Sequence, residues 1–167
     1  MTTAIFGAVL LGLLSTFYDF LWAHFEVRHQ AVNGIVHGMS LLSVAGLVLA
    51  YPTRRWLPGF VGGALAGLIG AVSFYAAFPL LGYLYALVAA WMVMWIAFST
   101  LATWLARAPI GSETALRGLV AAAASGVAFY LVSGMWTDHS APPNYLRNFA
   151  SWTFAFFPGF AALLWRR

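Results

Sequence analysis

Long apolar runs alternate with short breaks along the whole chain. The runs near residues 4 to 25, 31 to 51, 58 to 78, 83 to 106, 114 to 134 and 148 to 165 predict six helical spans. The breaks carry helix-ending residues: Pro52 and Pro58 flank Arg54 and Arg55, Pro79 precedes Gly82, Pro109 precedes Gly111, and Pro142 and Pro143 stand together. Between Arg55 and Arg107 lie 51 residues without a charged side chain. As one helix they would extend about 76 Å against a hydrocarbon layer of about 30 Å, so this stretch must fold back. Continuous rather than alternating runs exclude barrel strands. The expected fold is an all-α integral membrane protein, a compact bundle of about six transmembrane helices forming a single polytopic domain over residues 1–167. Five spans result if the last run is interfacial.

The odd-numbered runs share small residues at four-residue spacing: Ala4, Ala8 and Gly12; Gly59, Gly63 and Gly67; Gly118, Ala122 and Gly126. Such ladders let membrane helices approach closely. Each is followed by a Phe-Tyr pair, at Phe17-Tyr18, Phe74-Tyr75 and Phe129-Tyr130, which suggests three related helical hairpins. On this reading the odd helices form the tight interior, and most even ones face lipid. Trp91, Trp95 and Trp104 of span four are then expected at a lipid or subunit surface.

Polar positions are few and crowd toward one side. The breaks after spans two and four and the C-terminus hold Arg54, Arg55, Arg107, Arg117, Arg166 and Arg167, against Arg28 and Arg147 opposite. That asymmetry places both termini in the cytoplasm, in a cell inner (plasma) membrane. Only Met1 to Thr3 precede the first run, so the basic region of a cleavable signal is missing and span one is expected to be retained. The histidines and three of the four acids then fall in the outer half.

Within that half, His29, Asn33, His37 and Ser40 share an arc of about 80° on span two, and Ser15, Asp19, Trp22 and Glu26 share about 60° on span one. Asp19 and His37 each lie nine residues from Arg28, so an antiparallel hairpin brings them to one depth. They are expected to face each other, since an unpaired acid in lipid costs several kcal/mol. Four readings of that pair follow: a structural pair docking spans one and two, a proton-coupling pair, a metal site or a haem site. With Tyr18, Trp22 and Asn33 it forms a candidate substrate or proton-coupling site. His24, His37, His139, Asp19 and Asp138 are candidate ligands for a divalent metal such as zinc, although no HxxxH or HExxH spacing occurs. Bis-histidine haem is the weaker cofactor reading, because only His37 is well inside a span. Asp138, His139 and Ser140 adjoin in one loop and do not make a triad.

Composition narrows the classes without choosing among them. The chain is 63% apolar and 7% charged, with a net charge of +4 and no cysteine, which excludes disulfides, thiolate metal sites and a cysteine nucleophile. The arginines sit at span ends rather than in a basic stripe, so no nucleic-acid partner is expected. Arginine as the only basic residue, with abundant Ala, Gly and Leu, fits a GC-rich bacterial source. In architecture alone, six helices in under 200 residues with an outward aromatic and polar pocket is similar to the small substrate-capture subunits of energy-coupling-factor vitamin importers. The resulting expectation is a small-solute or ion transport protein, or its capture subunit, with an outer-face His/Asp/aromatic site. One alternative is a membrane-embedded metal-dependent enzyme resembling a lipid hydrolase. The other is a non-catalytic subunit of a larger membrane complex that binds pigment, quinone or haem. Expected partners are the lipid bilayer, a small-molecule or ion substrate, and either further copies of the chain or a partner membrane subunit.

Overall fold

The computed structural model describes residues 1–25, 29–133 and 144–165. Among them every regular element is a helix: α1 Thr2–His24, α2 Gln30–Ala50 with a short 3-10 turn Tyr51–Thr53, α3 Trp56–Leu105, α4 Ser112–Ser133 and α5 Tyr145–Leu164. Four stretches are long and apolar enough to cross a membrane: Thr2–His24, Gln30–Thr53, Trp56–Leu105 and Ser112–Ser133.

The 50-residue α3 is a hairpin rather than a rod. Pro79 withholds a backbone N–H, and Gly82 adopts φ 73° and ψ 173°, a conformation reached almost only by glycine. Beyond it the chain runs back along itself. Arg55 Nη1 donates to the carbonyls of Trp104 (3.1 Å) and Leu105 (3.3 Å), and its guanidinium lies 4.4 Å from the Trp104 ring centre. Gly62 meets Leu101, Gly70 meets Met94, and the Phe74 and Tyr83 rings sit 5.7 Å apart. Nothing crowds Gly82, so alanine there tests the backbone alone. Gly82→Ala is expected to lower stability by about 1–3 kcal/mol, the cost of holding an ordinary residue in that conformation. Thermal unfolding in detergent measures it.

The two arms of α3 have different neighbours. The first packs on α2, where Gly46 and Gly38 lie against the backbone of Gly59, Gly63 and Gly67. The second lies against α4, where Gly118 meets Ile96 and Ser99 Oγ donates to the Thr114 carbonyl (2.6 Å). α4 packs on α5, and α5 on α1, where Gly12 meets Phe149 and Thr153. All these pairs run antiparallel. α1 and α2 touch more sparingly, at Gly7 with Val48 and through the polar groups described below. The two ends of the bundle differ in character: Arg54, Arg55, Arg107 and Arg117 gather at one, and His24, His29, Tyr145 and Arg147 at the other.

Span four corrects the expectation that even helices face lipid. Trp95 and Phe98 on the second arm are 0% exposed, and the core around them includes Phe156, Phe160 and Leu163 of α5 and Leu41, Leu42 and Leu49 of α2. Trp104 does lie half-exposed, but Trp95 fills the centre because Gly159 of α5 has no Cβ to keep its ring out. The glycine and alanine ladders do bury themselves, as Gly59, Gly63 and Gly67 illustrate, yet they do so against even helices. Small residues open a gap, and the large side chains that fill the bundle come largely from the even spans.

Candidate functional site

The polar residues of α1 divide between two neighbours. Helical phase puts Gly12 and Asp19 within about 20° of each other, and Tyr18 about 100° away from Asp19. Gly12 faces α5, so Asp19 does as well: its Oδ2 accepts from Trp152 Nε1 (2.8 Å) and from Asn148 Nδ2 (3.3 Å). Tyr18 and Trp22 instead face α2. Tyr18 Oη lies 2.6 Å from Ser40 Oγ, which donates to the His37 carbonyl (3.0 Å), and Trp22 Nε1 donates to His37 Nδ1 (3.2 Å). The Tyr18 and His37 rings stack at 4.2 Å.

Asp19 and His37 are therefore not bonded to each other, contrary to the expected pairing. The reason is which helix stands opposite. α1 presents its small-residue face to α5, and the acid continues that face. The sequence stripes of α1 and α2 do not point to Asn148 and Trp152, which satisfy the acid. Their signal is modest: two N–H donors four residues apart, on one face of the last apolar run.

His37 has a defined chemical state in this setting. Because Nδ1 accepts the Trp22 indole hydrogen, the neutral ring carries its own hydrogen on Nε2. Nε2 makes no hydrogen bond among the described residues. His24 is elsewhere and exposed: its Nδ1–H donates to the Phe20 carbonyl (2.9 Å), its ring stacks on Phe20 at 4.2 Å, and Tyr145 Oη lies 3.5 Å from Nδ1. Asn33 is exposed, one turn from His37 toward the end of the bundle. Among the described residues no three His or carboxylate side chains come together as a metal-holding group. Asp138 and His139 lie outside the described residues.

His37 also borders a cavity of about 220 Å³, an open recess rather than an enclosed void, between α2, both arms of α3 and α5. Gly34 and Gly38 on α2 and Gly67 and Gly70 on α3 line it, and Phe74, Trp91, Trp152 and Phe156 supply aromatic walls. It lies in the half of the bundle away from the arginines, from the level of Gly34 and Tyr75 down to Leu42 and Met94. Over that depth the lining is almost wholly apolar and includes no charged side chain. Tyr75 Oη, at its upper rim, is occupied by the Gln30 carbonyl (2.9 Å). Below the cavity the helices close up: Gly46 contacts Gly59 and Gly63 backbone to backbone, and Trp95, Phe98 and Leu101 are buried.

No family model, curated protein or solved structure matches the chain.

Proposed function

We propose that this chain is a membrane-embedded capture protein for a small solute, crossing the membrane six times with both termini cytoplasmic. The two arms of α3 would count as separate spans, and α5 as the last. Arg54, Arg55, Arg107 and Arg117 at one end, against Arg147 at the other, support that orientation in a plasma membrane. The single observation that carries the reading is the cavity of about 220 Å³ in the outer half, above a tightly packed inner half. Pockets with aromatic walls and few polar groups suit small-molecule binding. A cavity that ends against packed helices takes a solute in from one side. Passage onward then requires a partner membrane subunit, or a rearrangement of the bundle, which fits a capture role better than a self-sufficient channel.

Retention of solute by the purified full chain tests the reading. Nanodisc-embedded protein is dialysed against a panel of small solutes, and retained compounds are identified by mass spectrometry. Leu87 lines the cavity from the second arm of α3 and is only partly buried, so Leu87→Trp projects new bulk into the space. The wild type should retain at least one solute, and Leu87→Trp should lose it by tenfold or more. Retention of none, or equal retention by a folded Leu87→Trp variant, would overturn the proposal.

A further inference from the structure

The dimensions and lining of the cavity narrow its occupant, an inference that rests on the capture reading. An enclosed cavity of about 150 Å³ lined by aliphatic and aromatic side chains accepts benzene; this recess of about 220 Å³ is more open than enclosed and has room for a molecule of one or two fused rings. The walls are flat and aromatic: Phe74 and Trp91 on α3, Trp152 and Phe156 on α5. Such walls favour a planar occupant through offset or edge-on ring contacts.

Charge excludes a second class. No carboxylate lines the cavity to neutralise a cation, which would have to be held by the aromatic faces alone at the cost of its hydration. Asp19, the acid at this depth, spends Oδ2 on Trp152 and Asn148 along the α1–α5 seam. An anion lacks a basic residue in the same way.

One polar feature remains for the occupant to meet. The two nitrogens of an imidazole diverge, and in His37 Nδ1 is turned to α1 by Trp22 while the ring borders the cavity. Stacking on Tyr18 and the Tyr18–Ser40 contact fix the ring plane. We infer that the cavity binds a neutral one- or two-ring heteroaromatic molecule whose acceptor atom takes the hydrogen of His37 Nε2. Trp22 then acts as a positioning residue, because its N–H holds the imidazole in the tautomer that leaves Nε2 a donor.

Quinoline and naphthalene have nearly the same shape and differ in one ring nitrogen, so the pair isolates the hydrogen bond. Both are titrated by calorimetry into the full chain in nanodiscs near neutral pH, with empty nanodiscs subtracted. N-methylquinolinium serves as the charged counterpart that lacks an acceptor. Wild type should prefer quinoline over naphthalene about five- to tenfold, the worth of one hydrogen bond, and should bind N-methylquinolinium more weakly than either. His37→Leu should bring quinoline down to the level of naphthalene, and His37→Gln, which keeps an N–H donor, should restore part of the preference. Equal affinities in wild type, a preference that survives in His37→Leu, or tighter binding of N-methylquinolinium would each overturn the inference. If both neutral probes fail while a panel solute is still retained by wild type and lost in Leu87→Trp, this inference falls and the capture reading stands. If wild type retains nothing, the capture reading falls too.

Discussion

Gly46→Leu is expected to prevent the bundle from assembling, with a loss of about 3 kcal/mol or more. A Cβ at Gly46 would meet the carbonyl oxygen of Gly59 and the backbone of Gly63, and backbone cannot swing aside as a flexible side chain can. The contact is reciprocal, since Gly59 and Gly63 in turn lie against Gly46 and Leu42. In a membrane the helices are not driven together by water, so lost van der Waals contact between close-packed backbones is not recovered elsewhere. Gly126→Ala provides the comparison, because its added carbon would reach only ordinary contact distance from Trp91. Size-exclusion profiles and thermal unfolding in detergent should show Gly46→Leu aggregated or melted well below wild type, with Gly126→Ala nearly unchanged. A Gly46→Leu protein that elutes and melts like wild type would mean that α2 and the first arm of α3 do not pack as described.

The second large effect concerns Asp19, and it comes from comparing two substitutions. Asp19→Leu removes the acceptor for both Trp152 Nε1 and Asn148 Nδ2, and leaves two donors inside the bundle without partners. The expected cost is about 2–4 kcal/mol. Asp19→Asn keeps a carbonyl oxygen that can receive the Trp152 hydrogen, and is expected to recover most of that loss. The Trp152 indole also forms part of the cavity wall, with its ring centre 4.6 Å from that of Phe129. Asp19→Leu should therefore weaken retention of a captured solute along with stability, by freeing that wall to turn. Unfolding midpoints and dialysis on the same samples check both effects. Equal stability of the two variants would show that Asp19 does not hold α5 through these bonds. Normal stability in Asp19→Asn, together with a pH dependence of solute retention that wild type shows and the variant lacks, would instead return the acid to proton coupling.

Much of the architecture is legible along the chain because membrane helices obey local rules. Apolar runs of about 20 residues must be helical, since lipid leaves no other partner for the backbone. Proline and glycine end them, and the fold-back of the long uncharged stretch at Gly82 falls in the break marked by Pro79 and Gly82. The candidate site was legible in part. Tyr18, Trp22 and His37 do come together; Trp22 and His37 stand in the stripes that helical periodicity traces, and Tyr18 lies beside its stripe. The position of Trp95 is not legible, because tryptophan in a membrane span suits both a lipid boundary and a buried socket. The socket here is made by Gly159, which lies 64 residues away in the chain. The partner of Asp19 is not legible, because a short turn between two spans suggests that they pack most closely on each other. α1 instead reserves its closest contact for α5.

The sequence by itself determined the helical membrane class, the places where helices end, the gathering of polar side chains in one half, and which residues share a face of each helix. All of these follow from hydropathy, backbone hydrogen bonding and the 100° step between residues. Only the tertiary structure decided which faces meet. The opposition of Gly46 to Gly59 and Gly63, of Trp95 to Gly159, and of Asp19 to Trp152 and Asn148 depends on how well whole helix surfaces fit. The cavity beside His37 belongs to that second group. It is lined by glycines of α2 and α3 and by aromatic walls from both α3 and α5, and no single run of the chain contains it.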